Sequence, residues 1–177
     1  MKHIKTAVEL DPFNPKILSF YGSVLFDEGR YDDAINAYQK ALALNPTQGV
    51  AGNIIRALYS AGREEEAVEM QKERWENDPE RLKAFEEGYA EAGWPGANKK
   101  LGDLYVKISE TGYIGPGQIA NCFYQAGEMD KSIYWLERAY KEHDPNLPYA
   151  FGPKNYILIK DDPRYQELAR KMNLPYK

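Results

Sequence analysis

The chain holds one thiol and two imidazoles, Cys122, His3 and His143. Cys122 with His143 is the nucleophile-and-base pair these offer. Such a pair works only where the imidazole reaches the sulfur and the thiol can ionise. Cys122 sits in IANCFYQAG, at a helix position that packs inward, so a buried core thiol is expected. His143 follows a last helical turn, where an imidazole favours the negative end of the helix. A single cysteine excludes an internal disulfide framework and a Cys-rich zinc site. Carboxylates come in clusters: Asp32-Asp33, Glu64-Glu65-Glu66, Glu86-Glu87 and Asp161-Asp162. General acid–base work needs two of them converging on a cleft with separated pKa values. These stand instead in turns and first helical turns, where negative charge suits the helix dipole, and solvated helix starts are expected. Gly93 to Gly96 encloses Trp94 and Pro95 with no lysine–serine pair behind it, so it is no phosphate loop. No catalytic, metal-binding or cofactor-binding residue is expected.

The composition bounds what can position such residues. Hydrophobic residues make up 43% of the 177 and charged ones 28%, which fits an ordinary soluble globular chain. Aromatic content is 13%, with 14 tyrosines, which argues against disorder. Basic residues number 23 and acidic ones 27, a net charge of -4, so a broad basic surface for nucleic acid is not expected. No apolar run is long enough to span a membrane. The opening MKHIKTAVELDP lacks the apolar centre of a secretory leader. A cytoplasmic protein, with neither a membrane nor nucleic acid as direct partner, is the expectation.

The chain also repeats itself. Asp-Pro or Asn-Pro pairs stand at Asp11-Pro12, Asn45-Pro46, Asp78-Pro79 and Asp144-Pro145. Their prolines lie 34, 33 and 66 residues apart, and Gly112 marks the point where the 66 divides in two. A period of this length signals a repeat array. In residues 20–46, FYGSVLFDEGRYDDAINAYQKALALNP, Tyr21, Gly22 and Leu25 share one face of a first helix. Gly29 ends that helix, and Ala34, Tyr38, Ala41 and Leu44 line a second. Residues 58–79 hold the register at Gly62 and Ala67, and residues 119–145 at Gly127, Ser132, Leu136 and Ala139.

Gly22, Leu25, Ala34, Tyr38, Ala41 and Pro46, and again Ala120, Phe123, Leu136 and Ala139, stand at the positions that define the tetratricopeptide repeat (TPR). The chain resembles that family. The resemblance implies an all-α fold: a TPR-like right-handed superhelix of antiparallel helix pairs with a C-terminal capping helix. Residues 1–12 are then the second helix of a truncated repeat, and 13–46 and 47–79 are TPRs. Residues 80–112 are a degenerate pair around Gly93-Trp94-Pro95-Gly96, lacking the family's small residues, 113–145 are a TPR, and 146–177 are a loop and capping helix. Ser132 replaces the usual alanine, and Gln71 and Arg74 stand where an aromatic and an alanine are expected.

The two ends differ from the repeats between them. IKTAVELDP aligns with YQKALALNP, pairing Ile4 with Tyr38, Ala7 with Ala41 and Leu10 with Leu44. A lone second helix cannot bury its apolar face, so more protein upstream is expected. Ile4 and Val8 would leave an apolar edge open, and homo-oligomerisation there is the alternative to binding another protein. After NLPYAFGPKNYILIK, Asp162-Pro163 starts a last helix with Tyr165, Leu168 and Met172 on its apolar face. WLERAYKEHDPNLPY with DPRYQELARKMNLP resembles the end of repeat blocks that close many bacterial multidomain signalling and transcription regulators. There the repeats follow a DNA-binding, kinase or cyclase domain. GPKNY stands where that group usually has a further Asp-Pro-Arg-Phe.

First helices of such arrays line a concave groove. By register they present Ser19, Ser23, Phe26 and Asp27, then Asn53, Arg56, Tyr59 and Ser60, then Gln118, Asn121, Tyr124 and Gln125. Aromatic area beside amides and an arginine suits an extended, partly acidic peptide or a partner helix. The family's carboxylate clamp would need lysine and asparagine where Ser19 and Ser23 stand, so chaperone-tail binding is not expected. The expected function is a non-enzymatic scaffold for protein–protein interaction, with Ser23, Phe26, Asn53, Arg56, Tyr59, Gln118, Asn121 and Tyr124 in the groove. Its partner would be another protein or another domain of the parent chain. Far-UV circular dichroism should give a helix content above one half, and a lower value would contradict a repeat of this type.

Overall fold

A computed structural model of the chain describes residues 2–152 and 155–174. Met1, Pro153, Lys154 and residues 175–177, which the expected first and last segments include, lie outside the described residues. The described residues are helical throughout their regular elements, with no strand, and form two compact units, Met1–Asn77 and Asp78–Lys177. In the first unit α1 (Lys2–Leu10), α2 (Pro15–Asp27), α3 (Tyr31–Leu44), α4 (Gln48–Ser60) and α5 (Glu64–Arg74) each pack on the next, and α2 also touches α4. In the second, α6 (Pro79–Ser109) packs on α7 (Pro116–Gln125), α7 on α8 (Met129–Lys141) and α8 on α9 (Pro163–Lys171). Short 3-10 turns at Leu147–Phe151 and Ile157–Ile159 lie between α8 and α9.

Local chemistry fixes where these helices start and stop. Asn14, Thr47, Asp78 and Asp162 each accept backbone N–H bonds from the first turn of the helix they precede, three of them with proline just inside. Gly29, Gly62 and Gly127 end α2, α4 and α7 at φ 78°, 76° and 78°. The N–H groups of Arg30, Arg63 and Glu128 then donate back to the carbonyls of Leu25, Leu58 and Phe123 at 3.0, 2.9 and 2.9 Å. This is the same Schellman closure three times over, and it needs a residue free to take positive φ.

Each hairpin also needs one point where its helices come close. Between α2 and α3 that point is Gly22, under the fully buried ring of Tyr38; a methyl there would lie 2.7 Å from ring carbons. Between α7 and α8, Ser132 is fully buried and its hydroxyl donates to the Ala120 carbonyl at 2.9 Å, so the exchange for alanine adds a bond.

Within α6 the backbone leaves the helix at Ala92 (φ -152°) and Gly93 (φ 61°), giving two arms that fold on one another. The expectation that this pair lacks small residues is corrected. Gly88 and Gly96 face each other so closely that a Cβ on either would strike the other's backbone. The contact is glycine on glycine instead of glycine under an aromatic ring as at Gly22. Pro95 falls in the first turn of the second arm, where its missing N–H costs nothing.

Asp144 of the last Asp-Pro mark is 5% exposed. It accepts from the N–H of Gly117 in the first turn of α7 and of Asn146, both at 2.9 Å. Gly115 has no side chain to cap α7, and this carboxylate does so from 27 residues away. Gly96→Ala should destabilise the second unit by about 3 kcal/mol or more. Gly49→Ala, in α4, where a Cβ would meet nothing within 4 Å, should be neutral or stabilise by up to about 1 kcal/mol. Denaturant titration of both variants checks this.

Candidate functional site

Five of the groove residues predicted from the sequence lie in the first unit, on α2 and α4. Phe26 is the penultimate residue of α2 and 5% exposed, so it is no groove surface. Its ring supports the Arg56 guanidinium, whose central carbon lies 4.2 Å from the ring centroid, an arrangement that attracts cation to ring. Arg56 is half-buried, and it also acts on the Tyr38 hydroxyl through its charge and a hydrogen bond. Tyr38 donates to the Ser23 hydroxyl at 3.1 Å, and Ser23 donates to the Ser19 carbonyl at 3.2 Å. Burial pushes the Tyr38 phenol above its ordinary pKa, while the Ser23 and Arg56 contacts pull it down by less. Ser23, Phe26 and Arg56 are therefore brought together, but as a seam that locks α2, α3 and α4.

The accessible groups on these helices are different ones. Phe20 is 55% exposed on α2. Asn53 and Tyr59 are half-buried and Ser60 is exposed on α4. Burial and the nearby Glu64 charge push the Tyr59 phenol up. Phe20 was missed from the sequence, and the signal was available. It precedes Asn53 by 33 residues, one full period, so it holds on α2 the place that Asn53 holds on α4. Phe26 likewise stands one period before Tyr59, and Tyr124 falls within one residue of two further periods. At this place Phe26 and Tyr124 pack against a later stretch of the chain instead of displaying a ring.

The second unit repeats that division. Gln118 and Asn121 are exposed on α7. Tyr124 is covered by the chain itself: its ring centroid is 4.6 Å from that of Tyr156, and its hydroxyl accepts from the Leu158 N–H at 3.3 Å. Tyr156 in turn leans towards Tyr165 of α9, which stacks on Phe151 at 4.6 Å. Tyr124 is half-buried, so the segment after α8 shares this groove position and leaves only part of the ring open. Cys122 is buried and His143 exposed, so the thiol and the imidazole sit in opposite environments. His143 takes a left-handed φ of 56° in the turn where α8 ends. The acids at helix starts are gripped locally, Asp33 by Arg30 at 2.6 Å and Glu66 by Arg63 at 2.7 Å. Among the described residues no group of three His, Cys, Asp or Glu side chains gathers that could hold a metal ion. No helix among them is long and apolar enough to cross a membrane.

Closely crossed helical hairpins, each turned by the same glycine closure, define an all-α helical-repeat protein. The family model described as TPR repeat matches residues 22–48, from Gly22 through α3 to the start of α4. Over those residues the chain is similar to the tetratricopeptide repeat, and the described residues fold as successive helices without a strand, in keeping with a TPR-like helical repeat. No curated protein matches the chain. Repeats of this family generally serve protein–protein interaction and carry no catalysis of their own.

The seam and the exposed face should separate in stability measurements. Phe26→Ala should cost about 3 kcal/mol or more and Arg56→Ala about 1 kcal/mol. Phe20→Ser and Asn53→Ala should stay within about 0.5 kcal/mol of the parent chain. Chemical denaturation of the four variants tests the register; a costly Phe20→Ser would show that the exposed face has been misplaced.

Proposed function

We propose that the chain binds an extended peptide or a partner helix across the exposed faces of α2 and α4, as a non-enzymatic scaffold. The observation that carries this reading is Phe20, a large aromatic left 55% exposed on α2, one period before Asn53. Aromatic anchors of this kind dominate binding energy at protein interfaces. Asn53 can pair with a backbone amide. The Arg56 guanidinium, held against the Phe26 ring, is ordered before any partner arrives, which lowers the entropy lost on binding. A planar arginine in that setting favours a carboxylate, so the ligand is a partly acidic segment, from another protein or from another domain of the parent chain. Gln118 and Asn121 offer a second stretch of amide surface on α7. The resemblance of the last two helices to the ends of bacterial regulator repeat blocks supports a place in a larger cytoplasmic regulatory protein.

Selection of phage-displayed random peptides on the immobilised chain tests the reading. Enriched peptides should carry apolar and acidic residues, and Phe20→Ser should weaken their binding at least about tenfold. Binding that survives unchanged in both Phe20→Ser and Asn53→Ala would remove the α2–α4 face from consideration.

A further inference from the structure

We infer that α1 is a self-pairing helix: two copies of the chain associate through α1 and the turn after it, with their α1 helices antiparallel. This is independent of the peptide-binding reading, since it uses neither Phe20 nor α4. α1 packs on α2 and buries none of its nine residues fully. Ile4 and Val8, the edge expected to be open, are half-buried with Ala7. The apolar groups left in solvent are Leu10, 82% exposed, and Phe13, 77% exposed, three residues apart across the α1–α2 turn. Such adjacent, nearly free side chains are where an interface would gain most from burial.

The order of charges on α1 says what covers them. Lys2, His3 and Lys5 crowd its first turn and Glu9 its last, with Asp11 just beyond; no acid stands in the first turn and no base in the last. The helix dipole prefers the reverse, acid at the start and base at the end. Each end of α1 therefore sets charge against the partial charge of its own backbone. A second copy lying antiparallel brings Glu9 and Asp11 to the positive start of its neighbour, beside Lys2 and Lys5, and two-fold symmetry makes the match twice. With the two-fold axis level with Ala7 and crossing the exposed side of α1, Lys5 meets Glu9 of the other copy, and Leu10 flanks the contact. An unrelated helix would need this reversed charge order by chance; a second copy has it by symmetry.

Sedimentation equilibrium of the full chain over micromolar concentrations decides the matter. The chain should form a dimer that dissociates on dilution and weakens as salt screens the paired charges. Leu10→Ser with Phe13→Ser should give a monomer of unchanged circular dichroism, both residues being exposed in one copy. Lys5→Glu should weaken the dimer at least about tenfold, by setting acid against acid. Lys5→Glu with Glu9→Lys should restore it, because the symmetric pairs re-form with signs exchanged. A parent chain monomeric throughout, or a Leu10→Ser/Phe13→Ser variant still dimeric, overturns the proposal. A folded charge-exchange variant that stays monomeric overturns the antiparallel pairing.

Discussion

Two helices joined by a three-residue reversal must nearly touch at one point, and the rest of this structure depends on that constraint. The closure at Gly29, Gly62 and Gly127 leaves so little chain that the helices it joins have no room to separate. Bulk at the crossing would push them apart and strain the turn. The chain meets the constraint differently at α2–α3 and α7–α8, and in a third way between the arms of α6, which turn at Ala92 and Gly93 instead of by that closure. Gly22 lies beneath the Tyr38 ring, Ser132 bonds to the Ala120 carbonyl, and Gly88 meets Gly96 backbone to backbone. What recurs along the chain is a close approach of two helices, and the residues at the crossing vary.

Once hairpins are closed, stacking one on another consumes a particular aromatic position. Phe26 lies beneath Arg56 of the next hairpin, and Tyr124 lies against Tyr156 of the segment after α8. The positions six residues earlier, Phe20 and Gln118, face away from the packed side and are exposed. Each first helix thus has a rear edge that builds the stack and a front that is left for recognition. Arg56 is half-buried at the boundary of the two: its guanidinium lies over Phe26 and acts on Tyr38 within the seam.

Much of the architecture was legible in the sequence because it rests on local rules. The turn glycines, the proline inside the start of the last helix and the placing of Gly22 and Tyr38 on the facing sides of two helices all follow from local rules within one period. The groove was less legible. Helical spacing places Phe26 and Phe20 on neighbouring stripes of α2, and nothing local tells which stripe a neighbouring helix will cover. Tyr124 could not be seen as covered, since its cover comes from residues 156–158, an irregular segment with no repeat register. The Asp-Pro marks show the same limit. At spacings of one and two periods Asn45 ends α3, Asp78 starts α6, and Asp144 reaches back across a whole hairpin to cap α7. Spacing located them but could not assign their work.

The relative size of these forces decides which residues are free to change. Burying a ring such as Phe26 contributes about 2 kcal/mol or more. The charge contacts on the surface are of another order. Arg63 reaches back to Asp32 of the preceding hairpin at 3.1 Å, whereas Arg30, one period earlier, holds Asp33 and Glu28 of its own. Both arginines are exposed, and exposed pairs contribute little. The first unit therefore stacks through aromatic burial, whether or not a given surface charge finds a partner. Its charges can then be arranged for recognition: locally paired at the starts of α3 and α5, ordered against the dipole on α1, and few on the α2–α4 face, where Asp27 and Arg56 stand. A surface whose charges are not needed for stability can be specific without weakening the fold that presents it.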